Sequence, residues 1–277
     1  MTDDCLRLLR QHRRLAELAA FPFDFDLDRA AHGHGEPVRL ASGGSLEVVA
    51  GSDTGGTYFV CADGSLLYAD SEGSAGIMGS SVDEALEVVV GLPGWRDLLS
   101  LTPADGETAI LARVAEIEEE IREYHGIDEE RAELRTALGL PDRSPVELLG
   151  MLHAALLRTE PDFLLLNADE GCAYDLLDRH PRPPLWESVR HEVPGDPADQ
   201  PLSTWTRLAA EQGMPELARV ALIRRLDDIY LDQSLLLRPG SSKDLDPAPL
   251  LWLAGEFERL GDLAQAERAR GLHTSLR

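Results

Sequence analysis

Lysine is almost absent from this sequence: Lys243 stands alone, and the rest of the 26 basic residues are arginine. Set against 50 acidic residues, they leave a formal net charge of -24. A field of that sign repels phosphate backbones, which proteins hold through clustered Lys and Arg, so nucleic acid is not an expected partner and a basic protein is. The same excess also keeps a concentrated protein in solution, a reading that needs no partner at all. Long apolar runs are missing too. No stretch approaches the ~18 apolar residues of a membrane span, and Met1 to Cys5 lacks the basic-then-apolar layout of a signal peptide, so neither membrane insertion nor export by that route is expected. The three cysteines, Cys5, Cys61 and Cys172, are odd in number and far apart, which suits reduced thiols in a cytoplasmic compartment.

The motifs of common chemistries are missing as well. There is no Walker pattern, no G-x-G-x-x-G opening a helix, no H-E-x-x-H, no C-x-x-C pair and no G-x-S-x-G elbow, so no cofactor is implied and the usual hydrolases are disfavoured. Weaker constellations remain. Asp24, Asp26 and Asp28 have the spacing of the first calcium-loop ligands, but Arg29 stands where that loop needs glycine and Gly35 where it needs its bidentate glutamate. His32 and His34 share one face of an extended segment and lack a third ligand nearby, so a solvated loop is the plainer reading. Glu116, Glu118, Glu119, Glu120 and Glu123 form an acidic run that reads as a wet helical face or as a surface for a basic partner. His125, His153, His180, His191 and His273 stand apart in sequence from any obvious nucleophile.

What is present is enough to fold. Apolar residues make up 43% of the 277 and charged residues 27%, which gives core material for two ordinary domains. Leu6, Leu8, Leu9, Leu15 and Leu18 predict one amphipathic helix over 3–20. Phe21 to Leu27 alternates aromatic with aspartate, as a short strand or extended loop does, and His32 to Gly44 reads as loop. Short strands follow at Leu46–Ala50, Thr57–Cys61, Leu66–Ala69 and Ala75–Gly79, with Asp63-Gly64 as a hairpin turn. Ser81, with Glu84 three positions on, predicts a capped helix to Val90, and Trp95 to Leu101 a last apolar turn.

Thr102 to Gly106 reads as a linker, which places one domain at 1–101 and a second at 107–277. Beyond it the apolar spacing is helical over Glu107–Tyr124, Asp128–Leu138, Pro145–Leu157, Ser203–Gln212, Pro215–Leu237 and Pro249–Leu272. Asp162 to Ala168 is too short for periodicity to separate buried strand from buried helix, and the six prolines of 180–201 predict an irregular segment over 181–201. The stretches opening at Trp205 and Trp252, about 47 residues apart, share a Leu-Ala pair, then Gly213 or Gly261, then Ala218 or Ala266. The second resembles half of a tetratricopeptide repeat, although generic helix-hairpin packing accounts for both. The fold class is therefore α+β, a small antiparallel sheet flanked by helices and followed by a mainly helical region.

Gly55 to Cys61, Asp63 to Tyr68 and Gly79 to Leu86 together resemble the core of the SUKH superfamily: a glycine-led strand with an aromatic centre, a turn, a second strand carrying Tyr, and a Ser-capped helix. The likeness covers about residues 1–100; Pro22 to Gly44 carries neither the Gly-Gly nor the Leu-Pro element usual at that family's N-terminus. The resemblance implies a non-catalytic binding fold, used as immunity proteins against polymorphic toxins, many of them nucleases. An acidic chain suits a basic toxin, because opposite charge speeds encounter and carboxylates can occupy a nucleic-acid groove. Asp53, Tyr58, Tyr68, Asp70, Glu72 and Trp95 are the expected partner-binding residues, mixing aromatic anchors with carboxylates around the sheet. Two alternatives stand beside this: an adaptor or scaffold whose helical half presents a groove, and an enzyme of unrecognised type.

Overall fold

The computed structural model of the protein describes residues 4–191, 201–236 and 248–275. The chain begins with helices α1 (Asp4–Gln11) and α2 (Arg13–Ala20), then a short strand β1 (Val38–Leu40). A run of strands follows, β2 (Leu46–Gly51), β3 (Thr57–Cys61), β4 (Leu66–Ala69) and β5 (Ser74–Gly79), leading into helix α3 (Val82–Gly91). Next come α4 (Glu107–Arg122), α5 (Ile127–Leu138), α6 (Pro145–Leu156), β6 (Leu165–Asn167) and β7 (Asp175–Leu176). Four further helices are α7 (Leu202–Glu211), α8 (Pro215–Leu236), α9 (Ala248–Arg259) and α10 (Leu263–Ser275). The class is α+β, with helix predominating in the C-terminal region. Among the described residues no helix is long and apolar enough to cross a membrane.

Two compact units result, and both are discontinuous in sequence. The first takes the described residues of 1–37, 43–159 and 175–182; the second takes those of 38–42, 160–174 and 183–277. This corrects the boundary expected at Thr102–Gly106. That stretch is a 3-10 turn, Pro103–Asp105, closed by a reciprocal Thr102/Asp105 capping box, and it redirects the chain without ending the core. Ile110, Val114 and Ile117 of α4, Leu134 and Leu138 of α5, and Leu148, Leu149 and Leu152 of α6 all belong to the cluster that holds Tyr58, Tyr68 and Leu86.

In the first unit the sheet order is β2-β3-β4-β5-β7, antiparallel except that β7 runs parallel to β5. The meander follows from its turns, each pinned by a side chain that accepts from the backbone. Asp63 Oδ1 accepts from Ser65 N (3.0 Å) where Gly64 takes φ +91°, and Asp70 Oδ1 accepts from Glu72 N (2.9 Å) and Ser74 N (2.8 Å). Between β2 and β3, Ser52 Oγ accepts from Gly56 N at 2.8 Å. Ser81 caps α3 by accepting from Glu84 N, as expected. The return contact of the box is displaced by one residue, since the Glu84 carboxylate accepts from Ser80 N at 2.6 Å. Helix α3 buries more than one side: Leu86, Val88, Val89 and Val90 are all fully buried, because α1, α5 and α6 cover the sides the sheet does not. The single helix expected at the start is two, broken at His12, whose backbone is extended; residue 3 lies outside the described residues.

The second unit pairs β1 with β6 in antiparallel register, Arg39 opposite Leu166. The loop expected over 32–44 thus contains a strand, and the ambiguous Asp162–Ala168 run is settled as one. Helices α7 and α8 form one hairpin and α9 and α10 another, so the helical spacing over 249–272 resolves into a pair of helices. Their turns are built alike. Met214 N donates to Ala209 O (2.8 Å) across Gly213 (φ +80°), and Asp262 N donates to Phe257 O (2.9 Å) across Gly261 (φ +74°). Each is the glycine-terminated cap in which a left-handed residue lets the chain reverse. The internal likeness of the Trp205 and Trp252 segments therefore has a local physical basis. Within the proline-rich stretch, Leu185–Val189 is a 3-10 turn; positions 192–200 lie outside the described residues.

Candidate functional site

Helix α2 ends at Ala20 with an extended Phe21, and Asp24 closes the turn that follows it. Phe25 N donates to Ala19 O (2.9 Å) and Asp24 N to Ala20 O (3.2 Å), which leaves Asp24 itself at φ +61°, the left-handed conformation glycine normally supplies. A short polar side chain tolerates that conformation, and here it fixes where the carboxylate points. Oδ1 accepts from Asp53 N (2.6 Å) in the β2–β3 turn, and Oδ2 accepts from Arg96 Nη2. Arg96 sits on the 3-10 turn Trp95–Leu98, entered through Gly94 at φ +72°. Its other nitrogen donates to Tyr68 Oη (3.3 Å), and its guanidinium lies 5.4 Å from the Trp95 ring and 5.8 Å from the Tyr68 ring.

Burial is the largest influence on the Asp24 carboxyl and pushes its pKa up, against the pull of Arg96 and of the Asp53 N–H. Burial also disfavours the charge on Arg96, but Tyr68 and Asp24 outweigh it and hold the guanidinium above its ordinary value. Behind it the aromatic rings stack inward: Tyr68 meets Trp95 at 5.1 Å and Tyr58 at 4.8 Å, and Tyr58 meets Phe25 at 4.9 Å. The Tyr58 hydroxyl is buried without a well-formed hydrogen bond. Burial, then Asp24, holds that phenol well above the tyrosine range, with Arg96 and the Trp95 indole opposing.

In front of Arg96 opens a cleft of about 220 Å³. Phe23, Trp95 and Ile117 form its floor, Phe21 one wall, and Asp53, Asp97 and Glu120 part of its rim. Phe21 is 54% exposed and packs edge-on against His125, 4.3 Å away, which in turn lies beside the exposed Tyr124. Asp53 reaches only to 3.9 Å from Arg96. The carboxylates of Asp97 and Glu120 make no hydrogen bond or close ion pair among the described residues, although both act electrostatically on Arg113, whose own ion pair is with Glu116 at 2.6 Å.

Of the six expected contact residues, the structure brings Asp53 and Trp95 to this cleft, corrects Tyr58 and Tyr68, and leaves Asp70 and Glu72 on a turn away from it. Tyr58 and Tyr68 are 0% exposed, because β3 and β4 are covered on both faces and have no wet side; Trp95 is 2% exposed and offers only a floor. Asp70 spends its carboxylate on the β4–β5 turn, and Glu72, though exposed on that turn, does not line the cleft. Asp24, Arg96, Asp97 and Phe21 carry no binding motif in the sequence. The Asp24-Asp26-Asp28 triplet was their one trace, and its charges go elsewhere: Asp24 to Arg96, Asp26 to Arg29 at 3.3 Å. Among the described residues no group of three or more His, Cys, Asp or Glu is placed to hold a metal ion. His34 meets Thr57 Oγ1 at 3.0 Å and lies 5.7 Å from the Phe59 ring. In the acidic run Glu118 turns inward to Arg131 (2.6 Å) and Arg122 (2.8 Å), while Glu120 faces the cleft.

The cysteines are free thiols. Burial pushes Cys5 and Cys61 up to about 12, so neither supplies a thiolate near neutrality. Cys172 is also raised by burial, with Arg268 opposing. Elsewhere in the first unit His153 and His180 stack edge-on at 4.8 Å. Burial, then the neighbouring His180, lowers the His153 pKa, with Asp178 opposing and Arg182 reinforcing. A histidine depressed in the folded state contributes stability that is present above its ordinary value of about 6.5 and lost as the pH falls below it. Thermal melts from pH 7.5 to 5.5 are expected to show a decline that is shallower in His153→Phe. Equal slopes in the two proteins would remove His153 as its source.

Comparison with protein-family models, with curated proteins and with solved structures finds no match to this chain.

Proposed function

We propose that the chain is a non-catalytic, acidic protein-binding module whose cleft at Asp53, Asp97 and Glu120 docks a basic protein, the part an immunity protein plays toward a nuclease-type toxin. One observation carries this: three surface carboxylates ring an apolar floor, while Arg96, the cation that lines it, is already matched by Asp24, and the nearby Arg113 is paired with Glu116. The net charge of -24 adds long-range attraction of the same sign. The volume argues against a small-molecule site, since about 220 Å³ is below the ~300–1,000 Å³ typical of ligand pockets.

The test is capture of a basic protein from the native host, compared with the variant D53N/D97N/E120Q. Rim charges contribute about 0.2–1 kcal/mol each, so the triple variant is expected to bind about tenfold more weakly, and wild-type binding to weaken as salt rises. Unchanged affinity in the variant would overturn the reading. The alternative, an adaptor acting through its helical hairpins, is supported by the twin glycine-capped turns at Gly213 and Gly261. It requires binding that survives neutralisation of the cleft.

A further inference from the structure

We infer that the group received by the cleft is an arginine side chain of the partner, entering between Phe21 and the rim carboxylates; this rests on the binding-module reading. The cleft's volume of about 220 Å³ is on the scale of one large side chain. Its floor of Phe23, Trp95 and Ile117 is buried and apolar, and favours an apolar stem or a flat face. An anionic group is excluded by Asp53, Asp97 and Glu120. A purely apolar group would strip water from those carboxylates and give nothing in return. The occupant is therefore a cation on a long apolar stem.

Between the two such residues the geometry favours arginine. The carboxylates come from three separate elements, the β2–β3 turn, the Trp95–Leu98 turn and α4. A guanidinium carries five N–H donors in a flat fork and can serve acceptors on different sides, whereas an ammonium is a compact, strongly hydrated point charge. Phe21 supplies an exposed ring, braced edge-on by His125, on which a flat cation can stack. Arg96 does not repel the newcomer as a bare charge would, because Asp24 is in direct contact with it.

The experiment titrates the full-length protein with three blocked tripeptides, acetyl-Gly-X-Gly-amide with X as arginine, lysine or citrulline, and follows the Trp95 indole N–H together with the amides of Asp53 and Asp97 by nuclear magnetic resonance. The arginine peptide is expected to shift these signals, the lysine peptide to bind at least threefold more weakly, and uncharged citrulline to leave them unmoved. Phe21→Ala is expected to erase the preference for arginine over lysine, and D97N/E120Q to abolish both responses. Lysine or citrulline matching arginine, shifts confined to signals away from the cleft, or no response to any peptide would each overturn the inference. The module reading is judged separately by the capture experiment: loss of the protein partner in D53N/D97N/E120Q, with no selectivity among peptides, keeps the docking cleft and discards the arginine.

Discussion

Arg96→Ala is expected to lower the unfolding free energy by about 3 kcal/mol, because it leaves the Asp24 carboxylate charged, desolvated and without its counter-ion. The side chains of Arg96 and Asp24 are 30% and 17% exposed, which favours the lower end of the ~3–5 kcal/mol seen when a buried pair loses one partner. The cause is the stranded charge, and a second substitution isolates it. Asp24→Asn keeps an acceptor for the Asp53 N–H and a residue that tolerates φ +61°. In the Arg96→Ala background it is therefore expected to recover at least ~1 kcal/mol. Urea denaturation of the two single variants and the double variant closes the cycle. The pH dependence has a definite sign: a carboxyl raised by burial contributes stability that is present below its ordinary value and lost as the pH rises through its folded value. Without Arg96 the folded value rises further, so the deficit of Arg96→Ala is expected to narrow as the pH is lowered from 7 toward 4. A cost below ~1 kcal/mol, or no recovery in the double variant, would show that Arg96 and Asp24 are not energetically paired.

The sheet meander was legible because it is local. Asp63-Gly64, Asp70 and Ser81 each act on backbone groups within a few residues, so turn chemistry marks the strand ends and the α3 cap to within a residue. What the sequence concealed is non-local. Val38–Leu40 becomes a strand only because Leu165–Asn167 pairs with it from far along the chain. Pro103, Asp105 and Gly106 announce a turn, and nothing local says that the core continues across it. The site divides in the same way. Asp53 is legible as a carboxylate beside the sheet, but its neighbour Asp24 acquires a role only through Arg96, 72 residues away. Tyr58 and Tyr68 were misplaced because alternation along a strand implies one wet face, and these strands have none.

The glycine pair before β3 belongs to one sequence motif, and the structure gives its two members different reasons, which separate by mutation. Gly55 adopts φ +89°, so Gly55→Ala carries a backbone cost of about 1–2 kcal/mol. Gly56 has no such constraint; instead, a Cβ there would lie 2.0 Å from Tyr68 Oη and 2.4 Å from its Cζ. Tyr68 cannot retreat, since its ring is wholly buried between Tyr58 and Trp95 and its hydroxyl meets Ser52 Oγ at 3.2 Å and Arg96 at 3.3 Å. Gly56→Ala is thus expected to cost about 3 kcal/mol, the upper end for overpacking, and to exceed Gly55→Ala. Removing the hydroxyl alone does not make room, because the Cζ contact stays, so Gly56→Ala with Tyr68→Phe is expected to remain as unstable as Gly56→Ala. Replacing the ring does make room: in a Tyr68→Leu background, Gly56→Ala is expected to add less than ~1 kcal/mol. Urea midpoints of the four combinations decide it. If Gly56→Ala were no costlier than Gly55→Ala, or equally costly with leucine at 68, the β2–β3 turn would not be clamped onto Tyr68, and the placement of Asp53 beside Asp24 would need another cause.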